Sequence, residues 1–166
     1  MMLNNSLFRR IQLQLLMNLT TRALGKPAVR TWTMTNDKAL QVYAEYTRDH
    51  LRDGVSEQLL QRMSEEAYRM GKRLRVLFCL RNPERTMRYI TALYWNIGIE
   101  LTGEVPGRLC FKRCFFSRYY TPAVCLAASA LDEGIIRGMA GEGSLTFQQR
   151  ITEGKDCCKA KFNNGS

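Results

Sequence analysis

The first residues of this chain that could carry chemistry lie along one edge of a predicted helix running from Pro122 to about Met139. Cys125, Ser129 and Asp132 recur there at steps of four and three, so the three side chains share one helix face. If that face lines a cavity, Asp132 can act as a hydrogen-bond acceptor for a ligand or as a general base. The alternative is that Cys125 fills space in the core and Asp132 points to solvent, since cysteine is among the most buried residue types.

Cysteines provide the second candidate group, because five of the six lie in the last 57 residues. Cys110 and Cys114 are four apart in a predicted strand, and strand alternation would place both thiols on one side. Cys157 and Cys158 are neighbours and must face opposite sides if they too lie in a strand. Zinc is a candidate cofactor, bound by a set drawn from Cys114, Cys125, Cys157 or Cys158 with a carboxylate, although the spacing follows no established zinc motif.

The charged candidates come from the predicted final hairpin. Arg150 could bind a substrate carboxylate through its planar guanidinium, and Glu153 could serve as acid or base if burial raises its pKa. Equally, the segment 153–156 could be only a polar hairpin turn. His50 is the only histidine and ends a polar helix far away in sequence, which argues against a mechanism that needs histidine.

The elements that must position these residues fall into two parts. Residues 1–98 have helical periodicity, and residues 99–162 have the pattern of a hairpin, a helix and a second hairpin. Two hairpins joined by a helix predict a mainly antiparallel sheet with helices packed on it. The sequence therefore predicts a single α+β domain over residues 1–166, with the candidate site in the hairpin-helix-hairpin part.

Capping residues, proline and periodicity predict the element boundaries. Helices are expected over 36–51, from Ser56 and from Pro83, and the second of these either continues beyond Gly71 or breaks there. Strands are expected over 99–102, 109–116, 145–151 and 157–162. In the first helix, apolar residues recur every four positions and indicate a stripe that packs against a core. The residues of this stripe are Leu7, Ile11, Leu15 and Leu19.

The 25 basic and 15 acidic residues give a formal net charge of +10. Such an excess attracts anionic partners, and we expect a small anionic molecule. No basic run exceeds two residues and no nucleic-acid-binding motif is present, so nucleic acid is not expected. No stretch approaches about 18 uncharged apolar residues, so we expect no transmembrane helix and no membrane partner. A homodimer is left open.

The N-terminal region decides the expected location. Arg9-Arg10 precede an apolar run, as in a signal peptide, but Gln12, Gln14 and Asn18 interrupt that run and no small-residue cleavage site follows. We therefore expect a cytoplasmic protein, whose six cysteines are thiols and not a disulfide framework.

Four segments of the final third resemble the L-2-amino-thiazoline-4-carboxylic acid hydrolase family. They are Cys114-Phe115-Phe116, Tyr120-Thr121-Pro122-Ala123-Val124-Cys125, Leu131-Asp132-Glu133-Gly134-Ile135-Ile136-Arg137-Gly138 and Arg150-Ile151-Thr152-Glu153-Gly154-Lys155-Asp156-Cys157-Cys158. The resemblance covers about a third of the chain. It implies a hydrolase that opens a 2-aminothiazoline ring towards L-cysteine.

The resemblance also suggests roles for individual residues. Cys125 or Cys114 would be nucleophile or metal ligand, Asp132 and Glu153 the acid/base pair, and Arg150 the anchor for the substrate carboxylate. The same tail is similar to vinyl-reductase-type ligand-binding domains, which implies instead a small-molecule-binding or sensor domain, with or without zinc, that has no catalytic activity.

Overall fold

A computed structural model describes residues 6–165 as five α-helices and one four-stranded antiparallel sheet, which confirms the predicted α+β class. The helices are α1 (Ser6–Ala23), α2 (Asn36–Leu51), α3 (Glu57–Leu77), α4 (Pro83–Asn96) and α5 (Pro122–Ala140). The strands are β1 (Ile99–Gly103), β2 (Gly107–Cys114), β3 (Gly143–Gln149) and β4 (Cys158–Asn164). Single 3₁₀ turns, Phe115–Arg118 and Ile151–Glu153, follow β2 and β3. None of the helices in this range is long and apolar enough to cross a membrane.

Side-chain caps explain where four of the helices begin. The hydroxyls of Thr35, Ser56 and Thr121 each accept a hydrogen bond from a backbone N–H of the first turn that follows. Asn82 does the same with its amide oxygen, and Pro83 occupies the first helical position, where no N–H is needed. These starts agree with the sequence prediction to within one or two residues.

The sheet has the strand order β1-β2-β4-β3, with every neighbouring pair antiparallel. Each hairpin joins consecutive strands, and β2 pairs with β4 at the centre, so α5 connects two hairpins of one sheet as predicted. In β4 the buried residues alternate with exposed ones, which is the pattern of a sheet with one covered face.

An irregularity in β2 overturns one prediction about the thiols. Glu100 pairs with Arg113 but Leu101 pairs with Phe111, so Lys112 is an extra residue in the ladder. The extra residue reverses the alternation beyond it. Cys110 therefore lies on the outer face, whereas Cys114 lies on the covered face, and the prediction that both thiols share one side is wrong.

The predicted stripe of α1 is also wrong in its orientation. The core face of α1 is formed by Leu13, Leu16, Met17, Leu19 and Ala23. Of the four predicted stripe residues only Leu19 is buried, and Leu7, Ile11 and Leu15 keep between 37% and 56% of their surface exposed. Both faces of the helix are apolar, and periodicity alone could not tell which one the other helices would cover.

Close packing of α3 against α5 fixes the central layer of helices. A Cβ atom added to Gly134 would collide with the carbonyl oxygen of Ser64 and would lie 2.7 Å from Cβ of Ala67. A Cβ on Gly138 would lie 2.8 Å from Cα of Gly71. These glycines let the two backbones approach closely. Gly71 lies at this contact and does not break α3, which continues to Leu77.

We predict that Gly134→Ala lowers the free energy of unfolding by about 2 kcal/mol, because the added methyl group overpacks the α3–α5 contact. The gain in helix propensity from glycine to alanine offsets only part of that cost. Urea unfolding followed by circular dichroism measures the change. Leu126→Ala, at an exposed position of the same helix, is the control and should shift stability by less than about 0.5 kcal/mol. A Gly134→Ala protein as stable as the wild type would contradict the close packing.

Candidate functional site

The helices and the first hairpin enclose a cavity of about 200 Å³. Residues from all five helices, from β1 and from the region 114–120 line it, and nearly all of the lining side chains are aliphatic or aromatic. The polar groups in the wall are few. They are the Gln12 amide, the hydroxyls of Tyr43, Tyr94 and Tyr120, the thiols of Cys114 and Cys125, and the carboxyl group of Asp132.

A polar contact in the wall joins α4 to α5. The hydroxyl of Tyr94 donates a hydrogen bond of 2.7 Å to Oδ1 of Asp132. The structure shows no other hydrogen bond to this carboxyl group from residues 6–165, and Asp132 keeps some accessible surface, which faces the cavity it lines. One carboxylate oxygen is thus held in place and the group remains accessible to a molecule in the cavity.

Burial changes the acidity of Asp132. Loss of hydration raises its pKa from 3.8 to about 6, although the Tyr94 hydrogen bond and the positive charge of Arg150 each act to lower it. Burial, and after it the same carboxylate, raises the pKa of Tyr94 well above its ordinary value. Asp132 therefore titrates close to neutral pH, whereas Tyr94 stays protonated and remains a donor.

Three thiols lie around this carboxyl group. Cys114 and Cys125 line the cavity, and buried Cys158 accepts a hydrogen bond of 3.3 Å from the backbone N–H of Ile151. Burial raises the pKa of Cys125, raises that of Cys114 to about 12 and that of Cys158 to about 11. At neutral pH all three are protonated thiols, which are weak nucleophiles.

The other two thiols of the final third lie on the opposite side of the sheet. Cys157 is next to Cys110, and each is half-buried. Neither can reach the group formed by Cys114, Cys125 and Cys158 without crossing the sheet. The sequence left open which of the adjacent thiols faces the candidate site. The structure buries Cys158 on the side of Asp132, beside the cavity, and places Cys157 on the other side of the sheet.

The candidate zinc ligands do not form a metal-binding group. Across residues 6–165, no three or more histidine, cysteine, aspartate or glutamate side chains are arranged so that they could hold a metal ion. Zinc prefers about four sulfur, nitrogen or oxygen ligands in a tetrahedron. Cys114, Cys125 and Cys158 lie on the Asp132 side of the sheet, but in the described part of the chain their side chains do not converge into such a set. We therefore assign no step to zinc.

Arg150 lies behind α5, with only 12% of its side chain exposed. Its Nη2 is 3.4 Å from Oγ of Ser129, and its guanidinium stacks 4.8 Å from the ring centre of Phe147. Ser129 in turn donates to the carbonyl oxygen of Cys125 at 2.8 Å. Arg150 and Ser129 are not among the residues that line the cavity in the described part of the chain, so the structure places them beside the site, where the charge of Arg150 acts on Asp132.

Glu153 lies at the surface and not at the cavity. Its Oε2 accepts a hydrogen bond of 2.9 Å from the backbone N–H of Arg150, and its Oε1 is 3.7 Å from Nη1 of the same arginine. These contacts hold the short 3₁₀ turn after β3. The predicted acid/base pair is therefore not brought together: Asp132 lies in the cavity wall, and Glu153 does not.

Sequence reasoning missed the tyrosines of the site. Helical periodicity allows either Leu93 or Tyr94 on the inner face of α4, and the structure buries both. Tyr43 belongs to α2, and burial raises its pKa to about 12. Its hydroxyl oxygen lies 3.1 Å from Oγ1 of Thr20. An apolar helix face that contains a tyrosine gives no sign of which distant carboxylate or hydroxyl its O–H will meet.

Comparison with known proteins identifies no relative, since no family model, no curated protein and no solved structure matches the chain. The resemblance to the thiazoline carboxylate hydrolases therefore stays a prediction, and the functional argument depends on the geometry alone.

We predict that Asp132→Asn changes how stability depends on pH. The folded protein binds the Asp132 proton more tightly than the unfolded chain does, so the wild type loses stability as pH rises from about 4 through about 6. The asparagine variant lacks this titration. Its free energy of unfolding relative to wild type should therefore rise by about 2 kcal/mol between about pH 4 and pH 7.

Urea unfolding at a series of pH values measures this difference. Asp156→Asn removes an exposed carboxylate and serves as the matched control. For this variant the difference in free energy of unfolding from wild type should change little with pH. A flat profile for Asp132→Asn as well would mean that the carboxyl group is hydrated in the folded protein.

Proposed function

We propose that the protein binds a small, largely apolar molecule in the cavity, with one polar group of that molecule directed at Asp132. The observation that carries the proposal is the placement of a fixed carboxyl group, Asp132, hydrogen-bonded to Tyr94 in a largely apolar wall. Ligand sites in proteins are typically apolar cavities in which a few convergent polar groups set the orientation.

The size of the cavity supports an organic ligand. An apolar cavity of about 150 Å³ is enough to hold benzene, and this one measures about 200 Å³. A molecule with one to three fused rings, or a short alkyl chain, matches the apolar side chains that surround the space. Burial of its apolar surface would supply most of the affinity, at roughly 25 cal/mol per Å².

The chemistry of Asp132 determines which polar group the ligand should carry. An ionised carboxylate only accepts hydrogen bonds, so an amine, amide or hydroxyl group is the complementary partner. The sequence suggested a small anionic molecule as partner. An acidic group beside Asp132 would add like-charge repulsion inside an apolar wall, so a neutral or cationic ligand is the better match.

Other parts of the sequence analysis stay predictions. The thiols of all six cysteines are free in the structure, which supports the proposed cytoplasmic location because reducing compartments keep thiols unpaired. The homodimer left open by the sequence and the expected absence of nucleic-acid binding likewise stay predictions.

We expect 1-aminoanthracene, an apolar fluorescent amine, to bind with one saturable site, seen as a blue shift and a rise in its emission. Ala128 lines the cavity on α5, and Ala128→Phe fills part of the space. This variant should bind at least about tenfold more weakly, which corresponds to about 1.4 kcal/mol.

Leu126→Phe is the matched control, since Leu126 is on the same helix but exposed, and it should bind as the wild type does. Circular dichroism establishes that both variants fold. Unsaturable binding to the wild type, or equal binding to folded Ala128→Phe, would refute the proposed cavity ligand.

Hydrolysis of a cyclic amidine is a second candidate, and the pKa of Asp132 favours it. A carboxyl group that titrates at about 6 suits a general base at neutral pH. The proposed step is attack by a water molecule on the amidine carbon of a 2-aminothiazoline, with Asp132 taking the proton. Asp132 passes that proton to the ring nitrogen, the bond between the amidine carbon and the ring sulfur breaks, and the departing thiolate takes the proton of the new hydroxyl group. The product is N-carbamoyl-cysteine. The raised thiol pKa values favour water over Cys125 or Cys114 as the nucleophile.

Incubation with L-2-amino-thiazoline-4-carboxylate should then yield a carbamoyl-cysteine, detected by mass spectrometry. Asp132→Asn should lower the rate at least about a hundredfold, the usual worth of a general base. Cys125→Ala should retain most of the activity if water is the nucleophile. Failure of the folded wild type to form product would eliminate the hydrolase and leave the binding function intact.

A further inference from the structure

The cavity meets the surface between α1 and the end of α3. Ile11, Leu15 and Leu77 line the cavity and yet keep 37%, 44% and 71% of their surface exposed. Side chains that belong both to the wall and to the exterior mark the opening. The opening is therefore framed by aliphatic groups on both helices, which is unusual for a protein surface facing only water.

The apolar surface continues beyond the opening onto the connection between α3 and α4. Val76 precedes Leu77 and is 77% exposed, although it does not line the cavity. Phe78 follows, lines the cavity and stacks on Tyr89 of α4, with ring centres 4.3 Å apart. We call the exposed surface of Ile11, Leu15, Val76 and Leu77 the apolar rim.

Positive charge surrounds the α3–α4 side of the rim. Residues 70–99 contain six basic residues and one acidic residue, Glu84. Arg73, Arg81 and Arg85 are exposed, and none of them forms an ion pair with a carboxylate of residues 6–165. Arg73 lies one turn before Val76 and Leu77 on α3, and Arg85 is close enough to Tyr89 to act on its ionisation.

From these observations we propose that the apolar rim docks on an anionic phospholipid surface and that the cavity takes up its ligand there. This inference depends on the proposed binding function. Exposed aliphatic side chains between unpaired arginines match the boundary between acyl chains and acidic headgroups. The proposed docking departs from the expectation of no membrane partner. Docking on the surface of a bilayer, however, needs no helix that spans it.

Charge also decides against a second copy of the chain as the partner of the rim. Two rims pressed together would bring the arginines of both molecules into one contact, and like charges facing each other across an interface are unfavourable. An anionic bilayer neutralises the same arginines. In addition, an apolar ligand is more concentrated in a bilayer than in water, so an opening against the bilayer is the efficient route for entry.

Flotation of the whole 166-residue chain with vesicles tests the proposal. We expect binding to vesicles that contain phosphatidylglycerol, much weaker binding to pure phosphatidylcholine vesicles, and release of the protein at high salt. Val76→Ser should weaken binding by roughly tenfold through the lost aliphatic contact. Arg73→Gln and Arg81→Gln should each weaken it by roughly fivefold.

Arg62→Gln is the charge-matched control. Arg62 is exposed on the same helix but eleven residues before Arg73, about 16 Å along the axis, which is beyond the screening length of about 8 Å at physiological salt. It should bind vesicles nearly as the wild type does. Equal binding to neutral and anionic vesicles, or wild-type binding by Val76→Ser and Arg73→Gln, would overturn the proposal.

Two further measurements separate the proposal from its alternatives. Val76 and Arg73 do not line the cavity, so their variants should bind 1-aminoanthracene in solution as the wild type does. Normal uptake of this probe without vesicle binding would refute the docking surface and leave the cavity function standing. A dimer in sedimentation that Val76→Ser abolishes would assign the rim to self-association and refute lipid docking.

Discussion

The close approach of α3 and α5 at their glycines is the contact on which the remaining structure depends. With no Cβ at Gly134 and Gly138, the two backbones pack against one another directly, and α5 is held in one rotation about its axis. That rotation directs Asp132 towards the cavity and Ser129 towards Arg150. Because interiors are densely packed, a shift of α5 would change the wall of the cavity and the position of its carboxyl group together.

The carboxyl group of Asp132 is held where ionisation costs free energy, and its neighbours reduce that cost without removing it. Tyr94 donates to it directly, and Arg150 contributes charge from the side. A buried carboxylate with one hydrogen bond is incompletely compensated. A buried carboxylate that costs folding free energy in this way more often serves a function than stability. A ligand that donated a second hydrogen bond to Asp132 would reduce that cost.

The sequence predicted most of the fold because its signals are local. Asn82 with Pro83, and Thr121 with Pro122, define helix starts through chemistry within one turn, and alternation identified the two hairpins. The clustering of Cys125, Ser129 and Asp132 on one edge also followed from helical spacing. The partners of that edge did not: Tyr94 is 38 residues away from Asp132, and nothing within a single helix determines which distant side chain its polar groups will meet. The prediction that Glu153 lies at the site was wrong for the same reason, because its position at the surface depends on tertiary structure.

The extra residue at Lys112 has a consequence for how β2 tolerates changes in length. Before it, Leu109 and Phe111 face the helices; after it, Cys114 does, while Arg113 stays 85% exposed beside Glu100. Deleting Lys112 would restore the regular ladder and leave Arg113 outward and Cys114 towards the helices. Deleting a residue from the regular part of β2 would instead turn Leu109 or Phe111 away from the helices. Among natural variants, deletions in this strand should therefore be confined to the position of Lys112.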